Sequence, residues 1–593
     1  MQQRPKQRTV DSSRSRRTRP ALPGVTQPTT RIISPTTPRP NVLSNKRTGL
    51  RRTLLQLGLL GGVLELLFLA LYPLLAAITR ADSAGQQVQR ALPDLFPWLP
   101  SLYWTNAFPA LPQLLSHVSW LDIQDKTTGR GANVLWSALL LLLAGGVVLF
   151  ASRVGGRMML ERLSRIDNAR LFWFVLLAAG VFGLTMLFAP VGLTVFSQDT
   201  LIYGLYGHMV AVQHVNPYGV LPSAQNVLLQ TLVAMKTTTP YGPVWTDISA
   251  LLAFFAKNSI ANTLLLFRCL GLLAHLTNVI LLWAVLAKTK PETRLWATLL
   301  YAWNPLVLLF GVAEMHQEIV LVCIILAALL FFQRNSPTIG WVLVLIGSLL
   351  NLLLLPLLPL FFRLMFKQSR ILRTGHRLLW WGGMLLISLV VIVLAYAPYW
   401  HSIGFTGVLV QAQHIFLQDT SANSLDATLL NLPTKSVWLV SPRHWSFVVL
   451  LIVGLLLLFG VWLADTLELV ALFSSWVLLL LAVLLPIYWP WYLLLPFTLA
   501  LCSTNPRTIL LTILLLAASL LSYYWSLTSV WPGQALASVG LPLLLWGWIL
   551  FFSATWQMTH AQGEVKPEVV KPRASLRSRP SWFSRPSRPG NRY

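Results

Sequence analysis

Charge is scarce in this chain. Only 11% of its 593 residues are Asp, Glu, Lys or Arg, and the acids number 19. A soluble domain of this size carries about a quarter charged residues, so a water-soluble globular fold is excluded at the outset. Cysteine is scarcer still, and Cys269, Cys323 and Cys502 all sit inside apolar stretches. That placement argues against a disulfide framework and against a thiolate metal site. No glycine-rich nucleotide fingerprint follows any strand-like segment. No internal repeat stands out, and no cleavable signal is evident, because the basic leader far exceeds a signal-peptide n-region and the first apolar run is span-length.

What the chain has in abundance is hydrophobic length. Residues of the apolar set make up 55% of it, in recurring runs of about 20, each able to cross the roughly 30 Å hydrocarbon core as a helix. The expected fold is an all-α polytopic membrane protein with about twelve spans, a broken pair of short helices and outer interfacial helices. The net charge of +26 is concentrated at the ends: residues 1–52 hold 13 Lys/Arg against one Asp, and 561–593 hold eight against two Glu. Both tails are rich in Pro, Ser, Thr and Arg without apolar periodicity, and are expected to be disordered cytoplasmic arms beside anionic lipid headgroups. Nothing in them calls for nucleic acid.

The positive-inside rule sets the topology. Segments 53–79 and 134–152 form two N-terminal spans around an outer loop, 80–133, whose Leu95-Phe-Pro-Trp-Leu-Pro100 cluster suggests an interfacial stretch. Arg153, Arg157, Arg162, Arg165 and Arg170 then mark an inner loop. A third span, 171–194, carries the chain out again, so Asp199 faces the extracytoplasmic side. Segment 242–257 is too short to span and is taken as an outer-surface helix. Spans 260–287, 295–313 and 315–333 bring Glu314-Met-His316-Gln-Glu318 to the same face, and 337–366, basic at both ends, reads as two short helices broken around Asn351 to Pro356. Later spans, near 379–398, 445–463, 467–486, 491–504, 508–525 and 538–553, deliver Tyr488-Trp-Pro-Trp-Tyr492 to the outer face and return the tail to the cytoplasm. The expected organisation is thus a basic tail (1–52), two added spans (53–170), a catalytic membrane domain (171–555) and a second tail (556–593).

Each outer motif has a plain reading. Asp199 can be a solvated terminus, Asn216-Pro-Tyr218 and Pro240-Tyr-Gly-Pro243 can be turns, His316 and Glu318 a polar corner, and the aromatic run an interfacial belt. Arg268, about eight residues into its segment, either snorkels or meets a lipid phosphate. Glu65 in the first span has no evident role. Their convergence on one face points instead to a site for a substrate that is half lipid and half polar.

The ordered set Asp199…Tyr203, Asn216-Pro-Tyr218, Thr239-Pro-Tyr-Gly-Pro243, Ala302-Trp-Asn-Pro-Leu-Val307, Gly311-Val-Ala-Glu-Met-His316 and Pro490-Trp-Tyr492 resembles the GT-C superfamily of integral membrane glycosyltransferases. It is most similar to the bacterial polyprenol-phosphate-mannose-dependent mannosyltransferases, over residues 170–500. The family more often has His-Asn-Asp where this chain has His316-Gln317-Glu318, and often Lys where Asn351 stands. The resemblance implies inverting sugar transfer from a polyprenyl-phosphate donor to a glycan or glycolipid acceptor. It makes Asp199 the general base, has Arg268 and His316 steady the phosphate, and has Tyr203, Asn216, Tyr218, Tyr241, Glu318, Trp489, Trp491 and Tyr492 bind substrate. No organic cofactor is required, and a divalent cation is compatible with the scheme. A transporter or lipid-sugar flippase is the alternative; such proteins usually show repeats and mid-membrane polar residues.

Overall fold

The computed structural model describes residues 42–80, 130–159, 164–189, 197–222, 237–370, 374–404, 406–408, 442–484, 488–528 and 536–563. Residues 81–129, expected to form an outer loop, most of 399–444, residues 1–41 and residues 564–593 lie outside them, and with them most of both basic tails. Residues Leu50–Tyr593 form one compact unit, and the account below concerns its described part.

Among the described residues every regular element is helical. Eight helices are long and apolar enough to cross a membrane, or nine if one bent pair counts as a single span; six shorter apolar helices accompany them. This is a multi-pass, all-α membrane protein. Helices α1 (Val42–Arg80), α2 (Arg130–Met159) and α3 (Arg165–Leu187) come first. Helical structure in α1 therefore starts ahead of the expected first span at 53. Ser164 caps α3, its hydroxyl accepting from the Asp167 amide at 3.1 Å, which satisfies a donor the helix start would otherwise leave open. Glu65 has a local account: it accepts from the Thr185 hydroxyl, while Tyr72 donates to the Thr185 carbonyl, tying α1 to α3.

Next come α4 (Asp199–Ala211), α5 (Pro243–Ala256) and the 30-residue α6 (Ile260–Thr289). Alpha4 lies close along α5 because Gly207 has no side chain: a Cβ there would stand 2.2 Å from the Ser249 carbonyl oxygen.

The expected span 295–313 is not one straight helix. Arg294–Ala302 (α7) is followed at a 47° bend by Pro305–Leu308 (α8), which runs into a π-turn over Leu309–Ala313. The sequence supplies the cause. Pro305 has no amide hydrogen to continue the ladder, and the Asn304 side chain caps the new start by accepting from the Leu306 amide at 2.9 Å. The π-turn then displaces one residue and ends the segment at Glu314.

Helix α9 (Glu318–Gln333) follows, then α10 (Pro337–Leu350), a 3-10 turn over Leu352–Leu357, and α11 (Leu358–Ser369). The break expected around Asn351 to Pro356 is found, with the Asn351 side chain accepting from the Leu353 amide at 2.9 Å. Helices α12 (Thr374–Tyr396), α13 (Pro442–Leu463), α14 (Leu467–Leu484), α15 (Leu494–Ser503), α16 (Pro506–Thr528) and α17 (Leu541–Gly563) complete the described chain. Along α12, Leu378, Leu379 and Leu385 are largely exposed, as a lipid-facing helix requires.

The charged loops gather at one end of these helices. Lys288 at the end of α6 donates to the Gln333 carbonyl at 2.9 Å, and Gln368 at the end of α11 donates to the Phe332 carbonyl. Lys290 lies 3.5 Å from Glu468, and Arg363 lies 3.2 Å from Asp465, both in the α13–α14 turn region. Helix α9, 16 residues long, runs from this end to Glu318, roughly 24 Å along its axis. Glu314, His316 and Glu318 therefore sit at the opposite end from the basic loops.

Candidate functional site: a buried carboxylate, imidazole, carboxylate row

At that far end the chain brings together residues that are distant in sequence. Asp199 is the first residue of α4, its amide donating to the Ser197 hydroxyl at 3.0 Å. Its Oδ2 is 3.1 Å from Nδ1 of His316, and Nε2 of the same ring is 3.2 Å from Oε2 of Glu314. The imidazole is fully buried, while the Asp199 side chain keeps 21% of its surface open. Among the described residues nothing bonds Oδ1 of Asp199, which leaves that oxygen for a substrate hydroxyl.

The turn carrying His316 is held on every side. The Glu314 amide donates to the Leu309 carbonyl at the end of the π-turn, and the His316 amide donates to the Phe310 carbonyl at 2.9 Å. The Thr200 hydroxyl, beside Asp199, donates to the Glu314 carbonyl. Met315 between them adopts a left-handed backbone with φ +49. Gly271 on α6 makes room for this turn, since a Cβ there would stand 2.4 Å from the Gly311 carbonyl oxygen and 2.8 Å from the Met315 sulfur.

The imidazole lies parallel to Trp491, with 3.7 Å between ring centroids, and Trp489 is parallel to the same indole at 4.9 Å. A cationic imidazole on an indole face gains from the ring quadrupole. Burial by itself disfavours the imidazolium, but hydrogen bonds to Asp199 and Glu314 and the charges of both outweigh it, raising the His316 pKa to about 9. The Glu314 carboxyl is pushed upward by burial, partly offset by the hydrogen bond and charge of His316.

The remaining expected residues divide into two groups. Tyr203 and Tyr241 flank the acid: their rings meet edge to face at 5.0 Å, and the Tyr203 hydroxyl accepts from the Gln317 amide at 3.5 Å. Burial, then the Asp199 charge, pushes both phenols well above their ordinary range, so they stay neutral. Glu318 is buried beside them, and neither carboxylate oxygen has a hydrogen-bond partner among the described residues. Tyr492 follows Trp491 in the same 3-10 turn, Pro490–Leu493. Glu318 and its aromatic neighbours form the wall next to Asp199.

Asn216, Tyr218 and Arg268 are used structurally. Asn216 accepts from the Tyr218 amide at 3.0 Å and donates to the Tyr399 carbonyl at 3.2 Å, a turn of the expected kind. The Tyr218 hydroxyl donates to the Tyr241 carbonyl at 2.8 Å, which positions Tyr241 from behind. Arg268, expected to reach a lipid phosphate, is 4% exposed, and its NH1 donates to the Leu187 and Ala189 carbonyls at 2.9 and 3.0 Å. It closes the C-terminal end of α3 and lends its charge to Glu314.

Glu314 is the residue that sequence reasoning passed over. A two-residue offset to His316 puts no pair on one helical face, and the signal that it lies in a turn was the preceding Asn-Pro break. Among the described residues no three His, Cys, Asp or Glu side chains converge as a metal site; the two carboxylates bonded to His316 take opposite ring nitrogens.

Residues 105–367 match a protein family described as alpha-(1->6)-mannopyranosyltransferase, N-terminal domain. A curated relative, alpha-(1->6)-mannopyranosyltransferase A of Mycobacterium tuberculosis, is 29% identical over 239 residues, covering 38% of this chain and 41% of the relative. The chain thus matches less than half the length of that relative. No solved structure matches. Both matches bear out the resemblance to membrane mannosyltransferases read from the motifs. The family match takes in Asp199 through Glu318 and ends before the Trp489 to Tyr492 turn.

Proposed function

We propose that the protein is a membrane mannosyltransferase that moves mannose, with inversion, from a polyprenyl-phosphate donor to an extracytoplasmic glycan or glycolipid acceptor. The observation carrying this reading is the Asp199 carboxylate, fixed by His316 on one oxygen, 21% open, and with no partner for its other oxygen among the described residues. The acceptor hydroxyl attacks the anomeric carbon from the face opposite the phosphate. Its oxygen bonds to that carbon, the bond to the phosphate oxygen breaks, and the phosphate leaves with the electron pair while Oδ1 of Asp199 takes the proton. The phosphate is already a leaving group, so placement and charge do the rest.

His316, buried with both ring nitrogens on carboxylates, steadies the Asp199 carboxylate from behind rather than meeting the phosphate. Glu318, whose carboxylate has no side-chain partner among the described residues, takes sugar hydroxyls, and Tyr203, Tyr241, Trp489, Trp491 and Tyr492 wall the sugar. Asn216 and Tyr218 support Tyr241 from behind. Arg268 acts through charge on Glu314 rather than by touching phosphate. The side of the membrane follows from charge: the site stands at the helix ends opposite Lys288, Lys290, Arg363 and Lys367, and basic loops stay in the cytoplasm. Both termini are then cytoplasmic, with their basic arms on anionic lipid.

The test is donor choice. Membranes containing the protein are given radiolabelled polyprenyl-phosphate mannose or radiolabelled GDP-mannose, with lipid-sugar synthesis blocked in the second arm. Label reaching acceptor from the lipid donor alone supports the reading. Equal transfer from the nucleotide sugar, or movement of intact donor across the bilayer without covalent transfer, contradicts it.

A further inference from the structure

Glu314 lies outside the residues that can touch substrate, yet its carboxylate meets the far nitrogen of His316 at 3.2 Å in a site closed to water. An ionised carboxylate only accepts hydrogen bonds, and a neutral imidazole offers one donor and one acceptor. His316 faces carboxylates on both nitrogens. Either both nitrogens carry hydrogen, or one of the two carboxyls holds the proton. Glu314 has 2% of its side chain open against 21% for Asp199, so burial favours the neutral form at Glu314, and Nδ1 then carries the hydrogen that Asp199 accepts.

The pairing cannot drift, because Glu314 is held through both its backbone groups, by the Leu309 carbonyl and the Thr200 hydroxyl, and the ring is stacked on Trp491. Among the described residues, the groups facing this row from the surrounding elements are Asp199 and Tyr203 of α4, Tyr241 before α5, Arg268 of α6, Glu318 of α9 and Tyr492 before α15. Only Arg268 among them is cationic. Without Glu314 the ring could turn its lone pair to either side, and Asp199 would lose a fixed donor.

We propose that Glu314 is a positioning residue that fixes the hydrogen of His316 on Nδ1 and so gives Oδ2 of Asp199 a fixed donor, with Oδ1 left for the acceptor hydroxyl. The consequence for catalysis rests on the mannosyl-transfer reading; the hold on His316 does not.

The test uses the full chain in lipid nanodiscs with 15N-labelled histidine, the His316 signals being those missing in His316→Gln. In wild type they report a ring protonated up to about pH 9. In Glu314→Gln the midpoint falls by at least one pH unit. The alkaline limb of label transfer from synthetic polyprenyl-phosphate mannose falls with it, kcat drops at least tenfold, and KM for the donor stays within twofold. Glu314→Asp restores part of both. An unchanged midpoint and limb in Glu314→Gln would overturn the proposal, as would a wild-type ring titrating near 6.5, a result that needs no variant to fold. If wild type moves no label but the midpoint shifts in Glu314→Gln, the transferase reading fails and the hold of Glu314 on His316 stands.

Discussion

His316 Nδ1 lies 3.1 Å from Asp199 Oδ2, although 117 residues separate them in the chain. The contact joins the start of α4 to the turn before α9, and it turns a lone acid at a helix start into an acid with a fixed donor. Replacing His316 by Gln keeps a hydrogen-bonding group but removes the charge-assisted bond, which is roughly twice as strong as a neutral one. Turnover is expected to fall about 10-fold to 100-fold, the size of one lost hydrogen bond to a charged group of about 1.5–3 kcal/mol, with donor KM changed little. Steady-state kinetics in nanodiscs check this.

The raised pKa of His316 sets a pH window. A group whose folded value exceeds its unfolded value stabilises the fold fully below the unfolded value, about 6.5 for histidine, and loses that contribution as pH rises through the folded value. Here the contribution is lost between about 6.5 and about 9, and the upward shift of Glu314 acts in the same direction. Thermal unfolding midpoints should decline progressively between about pH 6.5 and 9 and level off above that, while His316→Gln flattens that decline.

Gly271 predicts a packing effect that reaches the chemistry. A methyl group there collides with the Gly311 carbonyl oxygen and the Met315 sulfur, pushing the turn that carries Glu314 and His316. A misplacement of about 1 Å costs on the order of 100-fold in rate. Gly271→Ala should therefore fold yet lose about 10-fold to 100-fold in turnover, measured against Gly145→Ala on α2, where a methyl meets nothing within 4 Å.

Arg268→Met should act on stability first. It leaves the Leu187 and Ala189 carbonyls without their charged donor in a buried setting, and a hydrogen bond to a charged group contributes about 1.5–3 kcal/mol. A fall in unfolding temperature accompanied by reduced turnover fits a structural cation that also faces Glu314. Weakened donor binding with no loss of stability would mean that Arg268 does meet phosphate.

How much of this was legible in the sequence follows from what each signal depends on. Apolar run length marked the helices well, because spanning lipid leaves few alternatives. Charge bias gathered Asp199, His316 and Glu318 on one side before any distance was known. The broken pair at Asn351 and Pro356 was readable from the proline. The bend at Asn304-Pro305 was equally written there, yet the continuous apolar run over 295–313 concealed it. The carbonyls that Arg268 meets at the end of α3 were not legible, because a sequence shows depth along a helix but not what waits beside it. Glu314 was missed because its role depends on a π-turn and a left-handed Met315, and no local pattern announces either.

The most direct measurement is transfer of radiolabel from polyprenyl-phosphate mannose to acceptor by Asp199→Asn beside wild type, at matched protein levels and unfolding temperatures. Asparagine keeps the size and the contact with His316 but cannot take a proton at that pH. The account predicts a loss of about 100-fold to 10,000-fold, the range for a general base; transfer within a few-fold of wild type would contradict it.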